Sequence, residues 1–280
     1  MFRSFKIVTF ICDENTSEIL IAELSLIGFN SFLIQEKGFE ASIPVEDYDQ
    51  QSIDAIVTAP GISRSTHYYV QEVRDKNWNR EWEKNFEPTI VDDYCRIKTS
   101  FHDTSRPYPL EITINPKMSF GTGHHDTTYL MMQHQLGIDH RNKHVLDVGC
   151  GTGILSILAE KLGAAKVLGL DIDHWAYENS IENILINNCN RIRIIEGPIG
   201  KVQSDVLFDI ILANINMNVI LKDMRSYCHS LKPGGMMILS GFLTDDYDLI
   251  NTNAINNGLN LQKKRSRNKW CSLIYTISTN

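Results

Sequence analysis

Residues 143 to 173, KHVLDVGCGTGILSILAEKLGAAKVLGLDID, constrain what this chain can fold into more than any other stretch. A short apolar run, Val145 to Val148, enters the turn Gly149-Cys150-Gly151-Thr152-Gly153, and a segment with helical apolar spacing (Ile154, Leu155, Leu158, Leu162) leaves it. The pattern predicts strand, loop and helix. Three glycines in five residues let a backbone turn sharply and lie against a ligand with no Cβ in the way. A second apolar run, Val167 to Leu170, ends in Asp171, where a carboxylate at the tip of a parallel strand can accept both hydroxyls of a ribose. The unit is expected to bind a nucleoside. A plain glycine turn is the alternative, and Asp147 before the loop together with Asp171 after it argues against that.

Glycine spacing narrows the ligand. The dinucleotide fingerprint G-x-G-x-x-G places its third glycine where this chain has Ile154, whereas Gly151 and Gly153 are two residues apart. The loop resembles motif I of S-adenosylmethionine-dependent methyltransferases, E/D-x-G-x-G-x-G, with Asp147, Gly149, Gly151 and Gly153 in its four places.

The 280 residues exceed one ordinary domain, so one large domain or a large plus a small one is expected. Hydrophobic residues at 42% and charged residues at 22% are globular values, and no run approaches the ~18 apolar residues of a membrane span. The start, MFRSFKIVTFICDENTSE, reads as a strand and lacks the features of a signal peptide. Six cysteines without a C-x-x-C pair point to neither a disulfide framework nor a zinc site, and a cytoplasmic location is expected. The net charge of -7 disfavours direct nucleic acid binding and suits a basic partner. The basic run Lys263-Lys264-Arg265-Ser266-Arg267 reads as a solvated edge strand or hairpin.

Taken in order, the first segment predicts a strand at 5 to 11, a helix at 16 to 27 and strands at 31 to 35 and 39 to 43, turning at Glu36-Lys37-Gly38. A weak helix at about 47 to 55, a break at Pro60-Gly61 and a strand at 66 to 73 follow. That βαββαβ order suits a ferredoxin-like module. Trp78, Trp82 and Phe86 recur every four residues before Pro88, which predicts a connecting helix with an aromatic stripe. Two strands, 94 to 101 and 110 to 114, lead onward. Beyond Asp171 helices and strands alternate: helix 176 to 187, strands 191 to 196 and 207 to 213, helix 219 to 231, a Lys232-Pro233-Gly234-Gly235 turn, strand 236 to 240 and helix 245 to 256. Strands 259 to 264 and 270 to 277 end the chain with no helix between them.

One more stretch carries chemistry. Asn115-Pro116-Lys117-Met118-Ser119-Phe120-Gly121-Thr122-Gly123 precedes His124-His125-Asp126-Thr127-Thr128 and a helix from about Tyr129 to Leu136. Hydroxyls and free N–H groups at a helix start can hold a carboxylate, such as the amino-acid end of S-adenosylmethionine; a glycine loop with an ordinary N-cap is the alternative. His124 and His125 are adjacent, diverge, and have no acidic or cysteine cluster beside them, so no metal site is expected.

The segments NWNREWEKNF, NPKMSFGTGHHDTT, VLDVGCGTGILSI, VLGLDID and ILANI, behind a small βαββαβ module, are similar to those of the bacterial ribosomal protein L-eleven methyltransferases over nearly the whole chain. The resemblance implies an α/β fold: a seven-stranded doubly wound Rossmann-like methyltransferase domain at 91–280, preceded by a small α+β ferredoxin-like substrate-recognition domain at 1–75 and a helical linker at 76–90. It implies S-adenosylmethionine as cofactor and a large-subunit ribosomal protein as substrate, methylated on lysine side chains or the N-terminal α-amine.

By motif, the implied cofactor residues are Thr128, Gly149, Asp171 and Asn214, with Asp147, Gly151, Gly153 and Thr127 beside them. Ile172 and the segment near Glu196 and Gly197 are expected at the adenine. Asn214, after the fourth strand, faces the methyl group and the amine as the catalytic residue; a structural helix cap is its alternative role. Asn214-Ile215-Asn216-Met217 lacks the N/D-P-P-Y/F clamp of enzymes acting on planar nitrogens, which favours an aliphatic amine. The rival readings are a methyltransferase of another protein or of a small-molecule amine, a nicotinamide-dependent dehydrogenase and a non-catalytic binding protein.

Overall fold

The computed structural model describes residues 5–29, 31–35, 37–59, 62–63, 65–73, 87–100, 102, 106–115, 119–203 and 205–278. The expected aromatic helix with Trp78, Trp82 and Phe86, the Pro60-Gly61 break, Glu36 and residues 116 to 118 lie outside them. The chain divides into two compact units, Met1–Phe86 and Glu87–Asn280.

The first unit runs β1 (Phe5–Ile11), α1 (Glu14–Leu26), β2 (Ser31–Gln35), β3 (Gly38–Pro44), α2 (Gln50–Val57) and β4 (His67–Val73). Its sheet has the order β2-β3-β1-β4, antiparallel throughout. Capping sets where its helices begin. Asp13 accepts from the Thr16 N–H at 2.9 Å, starting α1 before the expected Thr16. Asp49 accepts from the N–H groups of Gln51 and Ser52 at 3.2 Å, which moves α2 two to three residues beyond its expected span. Leu20, Leu24 and Ile53 from the helices pack on Val8, Phe10, Phe39 and Ile43, so one sheet face carries the core. Gly38 has φ +109°, and a Cβ there would sit 2.0 Å from the Phe10 carbonyl oxygen; only glycine closes the β2–β3 hairpin this tightly against β1.

The second unit opens with a three-stranded sheet, β5 (Thr89–Val91), β6 (Cys95–Lys98) and β7 (Leu110–Thr113), of which only the last two were expected. The missed strand is three residues long, and Asp92 and Asp93 turn it into β6 with φ of 51° and 52°, the left-handed pair of a tight hairpin. Then come α3 (Asp126–Leu136), β8 (His144–Val148), α4 (Ile154–Lys161), β9 (Lys166–Asp171), α5 (His174–Ile186), β10 (Ile192–Glu196), β11 (Phe208–Asn214), α6 (Met217–Ser230), β12 (Leu231–Leu243), α7 (Tyr247–Asn256), β13 (Leu259–Arg267) and β14 (Trp270–Ile277).

These strands form one seven-stranded sheet in the order β10-β9-β8-β11-β12-β14-β13, parallel from β10 to β12, with β14 antiparallel to both neighbours. Apolar clusters cover both faces, one around Tyr227, Met224 and Phe242, the other around Ile157, Leu158 and Ile210. Strand β12 starts at Leu231, before the expected Met236. Its pairing with β11 jumps from Phe208–Leu231 to Ile210–Met236, so Lys232-Pro233-Gly234-Gly235 bulges out inside the strand. The basic run lies on β13, which ends the sheet and, among the described residues, pairs only with β14. All six cysteines are free. Among the described residues no helix is long and apolar enough to cross a membrane.

Candidate functional site

Strand order reverses direction between β8 and β11: β9 and β10 lie to one side, β11 and β12 to the other. A doubly wound sheet opens a crevice at such a point, beyond the carboxyl ends of its strands. A cavity of about 600 Å³ lies there, within the 300–1,000 Å³ range of small-molecule sites.

Its first wall is the glycine loop. Gly149, Gly151 and Gly153 all have positive φ, at 69°, 54° and 79°. The N–H groups of Gly149 and Cys150 both donate to the Leu170 carbonyl, at 2.8 and 2.9 Å, which ties the loop to the end of β9. A Cβ on Gly149 would meet Ile215 Cγ2 at 2.2 Å, and one on Gly151 the Phe120 carbonyl oxygen at 2.2 Å. The loop is therefore pinched between the Ser119–Gly121 segment and Ile215. Thr152 fastens it to the first of these: its N–H donates to the Phe120 carbonyl at 2.9 Å and its hydroxyl to that of Gly121 at 2.5 Å. Gly149 and Gly151 line the cavity; Gly153 instead caps α4.

Asp171 closes this wall. Its Oδ2 accepts from the Gly151 N–H at 2.8 Å and its Oδ1 from the Asp173 N–H at 3.0 Å, which holds the carboxylate on the cavity surface with lone pairs still free. Asp147 is fully buried and stands behind the loop instead of lining the cavity. One of its oxygens accepts from the Ser156 hydroxyl at 2.7 Å and the other has no partner, so burial raises its pKa from 3.8 to about 7. Ile172, Gly197, Pro198 and Ile199 extend the wall. Glu196, expected nearby, turns to His174 Nδ1 at 2.8 Å.

The opposite wall is made of side chains. Asn214 is the last residue of β11 and is buried; its amide nitrogen donates to the Thr128 hydroxyl at 3.3 Å while its Oδ1 has no partner. The helix cap belongs to Asn216, whose Oδ1 accepts from the Asn218 N–H at 2.8 Å, so Asn214 is free of that role. Thr128 stands behind Asn214, off the cavity surface, and Thr127 lines it. His125 caps α3 through its Nδ1, which accepts from the Thr127 N–H at 3.3 Å. His124 bonds elsewhere, through Nε2 to the Glu87 carbonyl at 2.7 Å.

Several lining residues escaped sequence reading. Phe120, His125 and Trp270 stack edge to face, with centroids 5.0 and 4.8 Å apart, and all three line the cavity. Phe120 and His125 belong to the singled-out FGTGHH run, but Trp270 starts an ordinary-looking strand. Gly241, on β12, also lines the cavity, with φ 98° and a Cβ position 2.1 Å from the Ile215 carbonyl oxygen. Asp173, and Asp223 on α6, are the other carboxylates on the cavity surface.

Residues 13–277 match the family model described as Ribosomal protein L11 methyltransferase (PrmA). The chain is 43% identical over 265 residues to a ribosomal protein L11 methyltransferase of Porphyromonas gingivalis, covering 94% of this chain and 91% of that protein. It is 40% identical over 267 residues to the one of Bacteroides thetaiotaomicron, covering 95% of each. Among solved structures it is similar to a ribosomal protein L11 methylase from Lactobacillus delbrueckii subsp. bulgaricus, with a TM-score of 0.65, 26% identity, 69% of this chain and 100% of that chain. A methyltransferase from Pyrococcus furiosus shares the fold at a TM-score of 0.52 and 22% identity, over 60% of this chain and 89% of that one.

Proposed function

The chain belongs to the ribosomal protein L11 methyltransferase family, and from that premise we propose that it methylates aliphatic amines of ribosomal protein L11, on lysine side chains and the N-terminal α-amine. It is an S-adenosylmethionine-dependent methyltransferase. When bound, the cofactor supplies a sulfonium-activated methyl group.

The residues present fit that group. Gly149 and Gly151 leave the backbone bare on the cavity surface, and Asp171 offers carboxylate lone pairs for ribose hydroxyls. Thr127, which lines the cavity in the first turn of α3, is placed to hold the amino-acid end. Asn214 carries the reading: an acceptor with no partner in the protein, whose amide is oriented by Thr128. Its Oδ1 accepts a hydrogen bond from the substrate amine and orients the nitrogen lone pair toward the methyl group. Positioning of this kind supplies much of the rate when the transferred group is already activated.

Lysine must first lose its proton. Asp171 and Asp173 are held by backbone N–H groups, Asp147 lies behind the loop, and Asp223 stands on α6 two helical turns past Asn216, so no carboxylate adjoins Asn214 to take it. The apolar lining, with Phe120, Val148, Leu170 and Trp270, favours the neutral amine by desolvating the ammonium, and the proton leaves to water. The run Asn214-Ile215-Asn216-Met217 has no proline clamp, which suits a tetrahedral amine.

The finer organisation is part of the proposal. Residues 1–75 act as a ferredoxin-like recognition domain, 76–90 as a linker and 91–280 as the Rossmann-like catalytic domain, in a cytoplasmic enzyme that needs no direct nucleic acid contact. The β2-β3-β1-β4 order with both helices on one face supports the first assignment. Incubation with labelled S-adenosylmethionine and a ribosomal extract tests the whole: label is expected in one ribosomal protein, on amine nitrogens by mass spectrometry. Label confined to nucleic acid or small molecules would sink it.

A further inference from the structure

The β13–β14 hairpin ends at the cavity, and one carboxylate ties it to α3. Trp270 opens β14 and pairs across the hairpin with Arg267, the last residue of β13; Asn268, with φ 52°, and Lys269 make the turn between them. Directly opposed residues of an antiparallel pair project to one face of the sheet. On that face Arg267 and Trp270 meet the first turn of α3. Asp126 takes the hairpin end with both oxygens: its Oδ1 accepts from Arg267 Nε at 2.9 Å and its Oδ2 from Asn268 Nδ2 at 2.7 Å. The Arg267 guanidinium also lies 3.9 Å from the centroid of the Tyr129 ring.

The neighbouring side chains show what this tie serves. His125 precedes Asp126, and its ring packs on Trp270 with centroids 4.8 Å apart, both lining the cavity. They do so at the amine end. Trp270 pairs with Leu243 on β12, three residues beyond Ser240, which pairs with Asn214. Thr128, two residues past Asp126, accepts from the Asn214 amide. Asp126 itself is half-buried and stands off the cavity surface, so whatever it does for a ligand it does through the hairpin.

We propose that Asp126 is a positioning residue for methyl transfer: through Arg267 and Asn268 it holds Trp270 against His125 and keeps the aromatic wall closed beside the substrate amine. This rests on the amine-methylation reading, with Asn214 at the transfer end. The attacking amine must be neutral, and water let in beside Trp270 would favour the ammonium.

Tryptophan emission reads the tie without turnover. Subtracting the spectrum of Trp270→Phe from that of wild type isolates Trp270 from the other three tryptophans. The same difference taken in an Asp126→Ala background is expected to move to longer wavelength as water reaches the ring. In Asp126→Ala, kcat for methylation of L11 should fall about tenfold, the worth of one charge-assisted hydrogen bond. Affinity for S-adenosylhomocysteine by calorimetry and KM for the protein should each stay within about twofold. Arg267→Ala leaves the start of α3 intact and should give the same shift and the same loss, which covers an Asp126 variant whose helix start frays. The double variant should lose no more than either single one. Asp126→Glu keeps both acceptor oxygens and is expected to restore most of kcat. Unshifted emission or unchanged kcat in Asp126→Ala overturns the proposal, as do losses that multiply in the double variant. So does a loss confined to cofactor affinity, which would place the effect at Thr127, or a rise confined to KM, which would make this tie a substrate contact. Wild type that binds S-adenosylhomocysteine but labels no amine overturns the amine reading instead, and the emission shift then still decides whether Asp126 holds Trp270.

Discussion

Along the β8–β9 wall of the cavity the groups that meet a ligand are mostly backbone, exposed by glycine at 149 and 151 and backed by Asp171. Along the β11 wall they are side chains, Asn214, Thr127, His125 and Trp270, brought together from separate segments. The first wall comes from one continuous stretch and tolerates no added atom. The second rests on contacts such as Asn214 to Thr128, 86 residues apart. On the proposed reading, the first wall holds the cofactor's nucleoside and Asn214 on the second orients the amine, and variants should separate the two.

The largest effect is expected at the glycines. Gly151→Ala places a Cβ 2.2 Å from the Phe120 carbonyl at a φ of 54°, so the loop must shift away from the 119–121 segment. Cofactor affinity by calorimetry should fall by about a hundredfold or more. Near-normal affinity would show that the loop is not the binding surface. On the other wall Asn214→Ala should lower kcat by about a hundredfold while cofactor affinity stays within about threefold, since the side chain orients the amine. A parallel loss of affinity would collapse the distinction between the walls. Thr128→Val sharpens it further: the Asn214 amide loses its acceptor and should cost about tenfold in kcat, with cofactor affinity again within about threefold.

The same division explains what the sequence made legible. Gly149, Gly151 and Asp171 stand out because glycine and a strand-end carboxylate have few reasons to recur at that spacing within one βαβ unit. Thr127 and Thr128 stand out as hydroxyls at a helix start after a glycine loop, whereas Asn214 is singled out by the family motif alone; the hydrogen bond between Asn214 and Thr128 leaves no local trace. Trp270 looks like any strand residue until β14, running antiparallel beside β12, carries it to the cavity wall. Among the elements, those with caps or long periodic runs were placed within a few residues. Three-residue β5 and the bulged start of β12 were missed because pairing with a neighbour, not local pattern, defines them.

Asp147 tests the comparison from beneath the first wall, with the smallest expected effect. Its carboxyl is raised to about 7 by burial, and it lies off the cavity surface. A folded-state pKa above the unfolded value near 3.9 means that the native protein holds the proton more tightly between those two pH values. Stability from this group is full below the unfolded pKa and declines as pH rises through the folded pKa. Asp147→Asn stays neutral and can still accept from Ser156. Urea unfolding at pH 5 and pH 8 should therefore show a smaller fall for the variant than for wild type, by on the order of 1 kcal/mol. Equal slopes would mean that the loop above Asp147 admits water to it, and the backbone wall would then be less rigid than its glycines imply.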